Sequence, residues 1–203
     1  MNLNRDLNKH QKKSEATRQS IIRSAYEICL EKGFTHITVS DITKRANVTR
    51  SLFYHYFPNK ESMAQNLSDA VSDYIFEQVK DWDMQREKNN ISSALDNIIS
   101  LARKLSNENS AFSDKMVQSG NGQLYVNFYD HLVTRITDYL CENTIKDFFK
   151  THTCPINHLR TTVLIMVNGV ISTLRTHPEI ENSELKKVAE QILHIDESAY
   201  SLQ

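Results

Sequence analysis

TVSDITKRANVTRSLFYHYF, residues 38–57, changes character at its middle. In its first half Val39, Ile42 and Ala46 recur three and four apart, the spacing of a helix with one inward face. Its second half closes on five consecutive rings, Phe53, Tyr54, His55, Tyr56 and Phe57, and Pro58 then stops the run. At about 100° per residue, five successive helical positions travel right round the axis. Some of these rings must therefore face away from any core. Phe53 and Phe57 lie four apart and suit burial together, which leaves Tyr54, His55 and Tyr56 to find another surface.

The punctuation around the stretch sets its geometry. Thr38 suits an N-cap, with Asp41 three residues on to complete a weak capping box and to place negative charge at the helix start. Asn47 is one of the few non-glycine residues that tolerate the left-handed region, so a tight turn is expected there. Thr49 can cap a second short helix running to Tyr56, Pro58 ends it, and Asn59 can cap the next. Upstream, Ser14 to Lys32 reads as a support helix with Ile21, Ile22, Ala25, Ile28 and Cys29 on its inner face and Gly33 at its C-terminus. Two short helices joined by a tight turn beside a support helix make a helix-turn-helix.

The outward residues carry the chemistry of a major groove. Arg50 can bond guanine O6 and N7 together, and Thr49 and Ser51 can bond base edges or phosphate. Tyrosine hydroxyls and the His55 ring can donate to phosphate oxygens while their ring bodies pack on sugars and thymine methyls. Two placements stay open: Tyr54 packs partly inside or points out, and His55 faces DNA or lies half-buried on its own domain. Lys60 adds charge beside the start of the next helix.

Charge is divided along the chain in the same sense. The 203 residues carry a net charge of −1. Residues 1–60 hold 11 Lys/Arg against 5 Asp/Glu, a net of +6, and the remainder holds 13 against 20, a net of −7. A basic front suits a polyanionic partner. Lys9, Lys12, Lys13 and Arg18 would extend that footprint.

Bulk composition narrows the class. Only 4 Gly and 3 Pro interrupt a chain that is 39% hydrophobic and 24% charged, so a soluble, helix-rich protein is expected. No apolar run reaches the roughly 18–20 residues of a membrane span, and the polar N-terminus has no signal-peptide core, so the expected compartment is the cytoplasm. Cys29, Cys141 and Cys154 share no CxxC spacing, and His152, Cys154 and His158 lack a fourth ligand at motif spacing, so neither a disulfide framework nor a metal site is expected.

Residues 33–63, GFTHITVSDITKRANVTRSLFYHYFPNKESM, resemble the DNA-binding domain of the TetR family of bacterial regulators. The matching positions are Gly33, Thr38, Ile42, Ala46, Val48, Thr49, Phe53 in the usual Leu place, Tyr54, Tyr56 in the usual His/Tyr place, Phe57, Lys60, Glu61 and Met63, ungapped over some thirty residues. The resemblance extends over about residues 14–75. The chain departs from the family at Asn47, where Gly is usual, and at Leu52, where a small polar residue is common. Leu52 cannot bond a base, so contact with a thymine methyl is expected of it.

The resemblance implies an all-α protein. Residues 14–75 would form the DNA-binding domain, with the helix-turn-helix at about 38–57, and a long helix would lead to a helical ligand-binding and dimerisation domain, 76–203. It implies that Thr38, Tyr56 and Lys60 hold phosphates and that Arg50, Ser51, Leu52, Tyr54 and His55 meet bases or nearby backbone. It also implies a homodimer through the last two helices, about 159–195, a palindromic double-stranded operator, and a small-molecule effector that releases a repressor from it. Candidate lining residues for the effector are Trp82, Phe112, Met116, Tyr125, Phe128, Tyr129 and Met166.

The rest of the chain is read from pattern. Met63, Leu67, Val71, Tyr74, Ile75, Val79 and Trp82 share one face of a long fourth helix, and REKNN (86–90) reads as a linker. Ile91 to Leu105 is amphipathic, SGNG (119–122) is a break, and Leu124 to Phe149 is periodic. THTCPINH (151–158) is a loop, Leu159 to Leu174 is apolar nearly all round, and Leu185 to Leu193 marks the last helix. No GxSxG, HExxH, phosphate-loop or dinucleotide fingerprint points to an enzyme, and no cofactor is expected. The alternatives are a helical protein-interaction module or an enzyme without DNA binding.

Overall fold

Asn47 takes φ 52°, and Gly33 takes φ 77°. These two left-handed residues turn the chain out of the helices before them in the computed structural model, which describes residues 3–118, 122–150 and 156–195. The described residues are helical, with no strand among them. In order they form α1 (Leu3–Lys32), a 3-10 turn (Phe34–His36), α2 (Val39–Arg45), α3 (Arg50–Tyr56), α4 (Lys60–Gln85), α5 (Ile91–Gln118) and α6 (Gly122–Tyr139). A π-helical segment (Leu140–Ile145), α7 (Lys146–Phe148), α8 (Leu159–Thr176) and α9 (Asn182–Ile192) follow. The expected breaks at 119–122 and 151–158 fall largely outside the described residues, as do His152 and Cys154.

The caps form as the sequence implies. Thr38 and Asp41 make both halves of a capping box at the start of α2. At its end the Val48 N–H bonds the Thr43 carbonyl at 2.9 Å and the Asn47 N–H the Lys44 carbonyl at 3.4 Å, the paired bonds of a Schellman turn. Thr49 Oγ1 accepts the Leu52 N–H at 3.1 Å, and Asn59 Oδ1 accepts the Ser62 N–H at 2.7 Å. α2 is thus closed at both ends and α3 at its start, which matters because helices so short are marginal alone.

Three longer elements differ from the sequence expectation. α1 begins at Leu3, not Ser14. No Gly or Pro interrupts residues 3–32, and the Ser14 hydroxyl caps nothing; it meets the Tyr56 hydroxyl at 2.9 Å. The periodic run 124–149 is not one α-helix, because the π segment widens it after Tyr139. α8, apolar nearly all round in sequence, is one-sided in place: Val163, Val167 and Leu174 are buried while Ile165 is 64% exposed.

The chain divides into two units. The first comprises residues 1–71 and Ala111–Phe128, and the second comprises Ser72–Ser110 with residues 129–203. α4 therefore contributes residues 60–71 to the first and 72–85 to the second. The first unit is built on Ile21, Ala25, Ile28, Cys29, Ile37, Ile42, Phe53, Phe57, Met63 and Leu67, all essentially without solvent exposure. Burial pushes the Cys29 thiol up to about 11. Arg45 clasps Glu31 with two nitrogens at 2.6 and 2.8 Å, tying α2 to α1.

In the second unit Ile99, Leu174 and Leu185 form a core with Ile98, Ala102, Val170 and Ile180 around it. Arg103 holds the α8–α9 connection: it donates to Asn182 Oδ1 at 2.6 Å, to the Pro178 carbonyl at 2.7 Å and to the Ile180 carbonyl. Lys186 ties α9 to Asp96 at 2.6 Å and to Ser92 at 2.7 Å of α5. Among the described residues no helix is long and apolar enough to cross a membrane.

The buried pair on α3 gives the first test. Phe53→Ala removes a fully buried ring and is expected to lower stability by about 3–5 kcal/mol, read as a fall in the urea unfolding midpoint followed by circular dichroism.

Candidate nucleic-acid interface

α3 has two sides, and its sequence decides which residue falls on which. Phe53 and, at the C-cap, Phe57 are fully buried, with ring centroids 5.5 Å apart. Arg50, Ser51, Tyr54 and His55 are exposed, and Leu52 and Tyr56 are half-buried. Tyr54 stands outward at 52% exposure, its ring edge-on to Phe53 at 5.4 Å. His55 is also outward, edge-on to Tyr56 at 5.0 Å. Both open alternatives are thereby decided in favour of the solvent side.

The residues flanking α3 are held from other elements. Tyr56 is oriented by Ser14 of α1 through the hydroxyl pair at 2.9 Å. Lys60 donates its Nζ to the Thr35 carbonyl at 3.1 Å, so the 3-10 turn sets the position of that cation. Arg18 donates to Glu15 Oε1 at 3.4 Å and to Asn66, and its guanidinium stands 5.9 Å from the Phe57 ring centre. Sequence spacing gave no hint of the Ser14 or Asn66 contacts, because each joins residues more than forty positions apart.

Thr38 is more committed than its expected role implies. Its hydroxyl accepts the Asp41 N–H at 3.1 Å and donates to Asp41 Oδ2 at 2.9 Å, while its own N–H donates to the same oxygen at 3.2 Å. A hydroxyl has one proton to give. A phosphate would have to take that proton from Asp41. Thr49, by contrast, uses only acceptor capacity in its cap and keeps a proton for another acceptor. Thr38, Thr49, Arg50, Ser51, Leu52, Tyr54, His55, Tyr56 and Lys60 all lie on or beside the two short helices.

The candidate effector-lining residues do not fall in one unit. Phe112, Met116, Tyr125 and Phe128 belong to the first. There Phe112, Met116 and Phe128 are core: Phe112 meets Phe128 at 6.1 Å and Tyr26 at 5.6 Å. Trp82, Tyr129 and Met166 belong to the second, where the Tyr129 hydroxyl donates to the Asn168 carbonyl at 3.3 Å. Among the described residues no group of three or more His, Cys, Asp or Glu is placed to hold a metal.

Comparison with known proteins places this geometry. A sequence model described as bacterial regulatory proteins, tetR family, matches residues 21–67. Over 56 residues the chain is 38% identical to the HTH-type transcriptional repressor NemR of Escherichia coli, covering 28% of this chain and 27% of that protein. Over 57 residues it is 41% identical to the transcriptional regulator AcuR of Cereibacter sphaeroides, covering 28% and 26%. These matches span about a quarter of each curated relative's length. Solved structures extend the likeness of fold. GusR of Salmonella enterica aligns with a TM-score of 0.67 at 15% identity, covering 88% of this chain and 96% of that one. A TetR-family regulator from Streptomyces coelicolor aligns at 0.65 and 18%, covering 90% and 99%.

The capping box has a pH signature. The Thr38 hydroxyl first, its backbone N–H second, and then Lys32 hold the Asp41 carboxyl below its ordinary value. A carboxyl depressed in the folded state stabilises above its unfolded pKa, near 3.9, and that contribution is lost as pH falls through the folded value. The urea midpoint is therefore expected to drop with acidification through that range, and Asp41→Asn to remove part of that dependence while lowering stability at neutral pH.

Proposed function

Because residues 21–67 match the tetR family of bacterial regulatory proteins, we propose that the chain is a sequence-specific, DNA-binding transcription regulator of that family that acts as a repressor. The observation that carries this reading is the division of α3: two phenylalanines fully buried on one side, and Arg50, Ser51, Tyr54 and His55 exposed on the other. The basic balance of residues 1–60 supports it, as does the likeness to NemR, itself a transcriptional repressor.

In this reading residues 14–75 act as the DNA-binding domain and α3 enters the major groove. Arg50 bonds a guanine edge, Ser51, Tyr54 and His55 meet bases or the adjacent backbone, and Leu52 packs on a thymine methyl. Thr38, Thr49, Tyr56 and Lys60 contact phosphates and fix the register. The protein works in the cytoplasm as a homodimer on a palindromic operator, with the two α3 helices about one helical turn of DNA apart.

Pairing runs through α8 and α9 of residues 76–203. Ile165 stands 64% exposed and Val188 45% exposed, more apolar surface than one protomer uses. Between them in sequence is Gly169, where an added Cβ would meet nothing within 4 Å. Glycine in a helix interior is less favourable than alanine by about 0.5–1 kcal/mol, and the protomer's own packing gives no reason for it. Close approach of a second helix does. A small effector bound in 76–203 with the help of Trp82, Tyr129 and Met166 favours the form that does not hold DNA, and so empties the operator.

Binding is tested by fluorescence anisotropy on the DNA flanking the protein's own gene at several salt concentrations. A specific, salt-dependent complex is expected. Arg50→Ala should weaken it by about 1–3 kcal/mol and relax preference at one base pair, and Lys60→Ala should lower the salt slope by about 1. Binding indifferent to Arg50 would favour a protein-interaction module that keeps the helix-turn-helix as architecture. For assembly, Gly169→Leu should leave the helix content intact and weaken the dimer by about 1–3 kcal/mol, read by sedimentation equilibrium; unchanged assembly would remove α8 from the interface.

A further inference from the structure

α1 continues for several turns before its apolar stripe begins. Ile21, Ala25 and Ile28 are buried along one face of it. Ser14 lies about two turns before Ile21 on that same face. The core that fixes Ile21 therefore also fixes the direction in which Ser14 points. Because α1 begins at Leu3, Ser14 is interior to the helix, and its hydroxyl is not spent on a cap.

Ser14 meets the last residue of α3. Its Oγ stands 2.9 Å from Tyr56 Oη. The backbone of Tyr56 is held in turn by Phe53 and Phe57, both fully buried. One turn further along α1, Arg18 donates to Asn66 of α4 and keeps its guanidinium 5.9 Å from the Phe57 ring centre. Asn66 itself donates to the Ser62 carbonyl at 2.7 Å. Two successive turns of α1 thus line the exit of α3, and both hydroxyls of the pair stand on anchored backbone.

The proton count decides what the pair can do. A hydroxyl has one proton to give and can also accept. The pair holds two protons and spends one on the bond between its members. Among the described residues neither hydroxyl makes a second hydrogen bond. One proton is left for an acceptor from outside. An O–H whose oxygen already accepts a hydrogen bond is polarised and donates more strongly, and a charged acceptor gains most from it. Ser14 is exposed and Tyr56 half-buried, so the pair is open to such an acceptor. Lys12 and Lys13, exposed just before Ser14, make the neighbourhood attractive to an anion, while Glu15 is turned to Arg18 and Gln19.

We propose that Ser14 is a positioning residue for a phosphate contact of Tyr56: Ser14 donates to Tyr56 Oη, and Tyr56 gives its own proton to a DNA phosphate oxygen. The relay rests on the DNA-binding reading above and adds to it a residue outside the helix-turn-helix. Without Ser14 the phenol proton turns freely about its C–O bond, and the DNA contact alone has to order it.

A double-mutant cycle on DNA affinity tests the relay. The full-length protein is titrated by fluorescence anisotropy against the labelled duplex flanking its own gene, at one salt concentration. Ser14→Ala and Tyr56→Phe each remove one oxygen, and alanine is the better residue inside a helix, so the fold should be kept. Each single variant should weaken binding about three- to tenfold. The double variant should bind no more weakly than Tyr56→Phe alone, because Ser14 acts only through the phenol hydroxyl. A general loosening of the unit by Ser14→Ala would weaken binding equally in the Tyr56→Phe background, so the cycle separates positioning from stability. Wild-type affinity in Ser14→Ala, or losses that multiply in the double variant, would overturn the relay and leave the DNA-binding reading standing. Should the wild-type chain form no specific complex, the DNA-binding reading fails and the relay falls with it.

Discussion

The burial of Phe53 and Phe57 is the constraint on which the rest of the first unit depends. α3 has seven residues, too few to hold a helical shape in water by hydrogen bonding alone. Two fully buried rings four positions apart anchor it in the core of the first unit, and the caps at Thr38, Thr49 and Asn59 close the neighbouring helix ends. Only because those rings are inside does the backbone present Arg50, Ser51, Tyr54 and His55 as one rigid set. A recognition surface this small gains its precision from the core behind it, not from contacts among the recognition residues themselves.

Legibility in the sequence followed the range of the interaction. The turn at Asn47, the capping box and the four-residue spacing of the phenylalanines are local, and each was readable from side-chain type and spacing. The outward placement of Tyr54 was not, because both its alternatives satisfy the same periodicity. The hydroxyl pair of Ser14 and Tyr56 and the Arg103 clamp on the α8–α9 connection join residues 42 and more than 70 apart, and only the folded chain brings them together. The early start of α1 is not marked locally either: no Gly or Pro separates residues 3–13 from the support helix read from Ser14, and the apolar periodicity begins only beyond it.

The π segment marks a different limit. Hydrophobic periodicity over 124–149 fits a continuous helix well, and a single widened turn shifts the phase too little for a pattern of apolar residues to register it. What identifies the turn is polar. Tyr139 and Thr144 share a carboxylate that an α-helix would not let them share. Reading hydrogen-bond capacity along a helix, and not only its apolar stripe, is the signal that could have found it.

The raised thiol of Cys29 has a consequence for how the first unit can be observed. With a pKa of about 11, only about one molecule in ten thousand carries the reactive thiolate at neutral pH. The side chain has no solvent exposure and sits among the residues that support α3. While the unit is closed, alkylating reagents and mild oxidants find no nucleophile there. Each opening exposes an ordinary cysteine for the time the core stays apart. The rate at which Cys29 is alkylated is therefore a clock for those openings, set inside the support of α3.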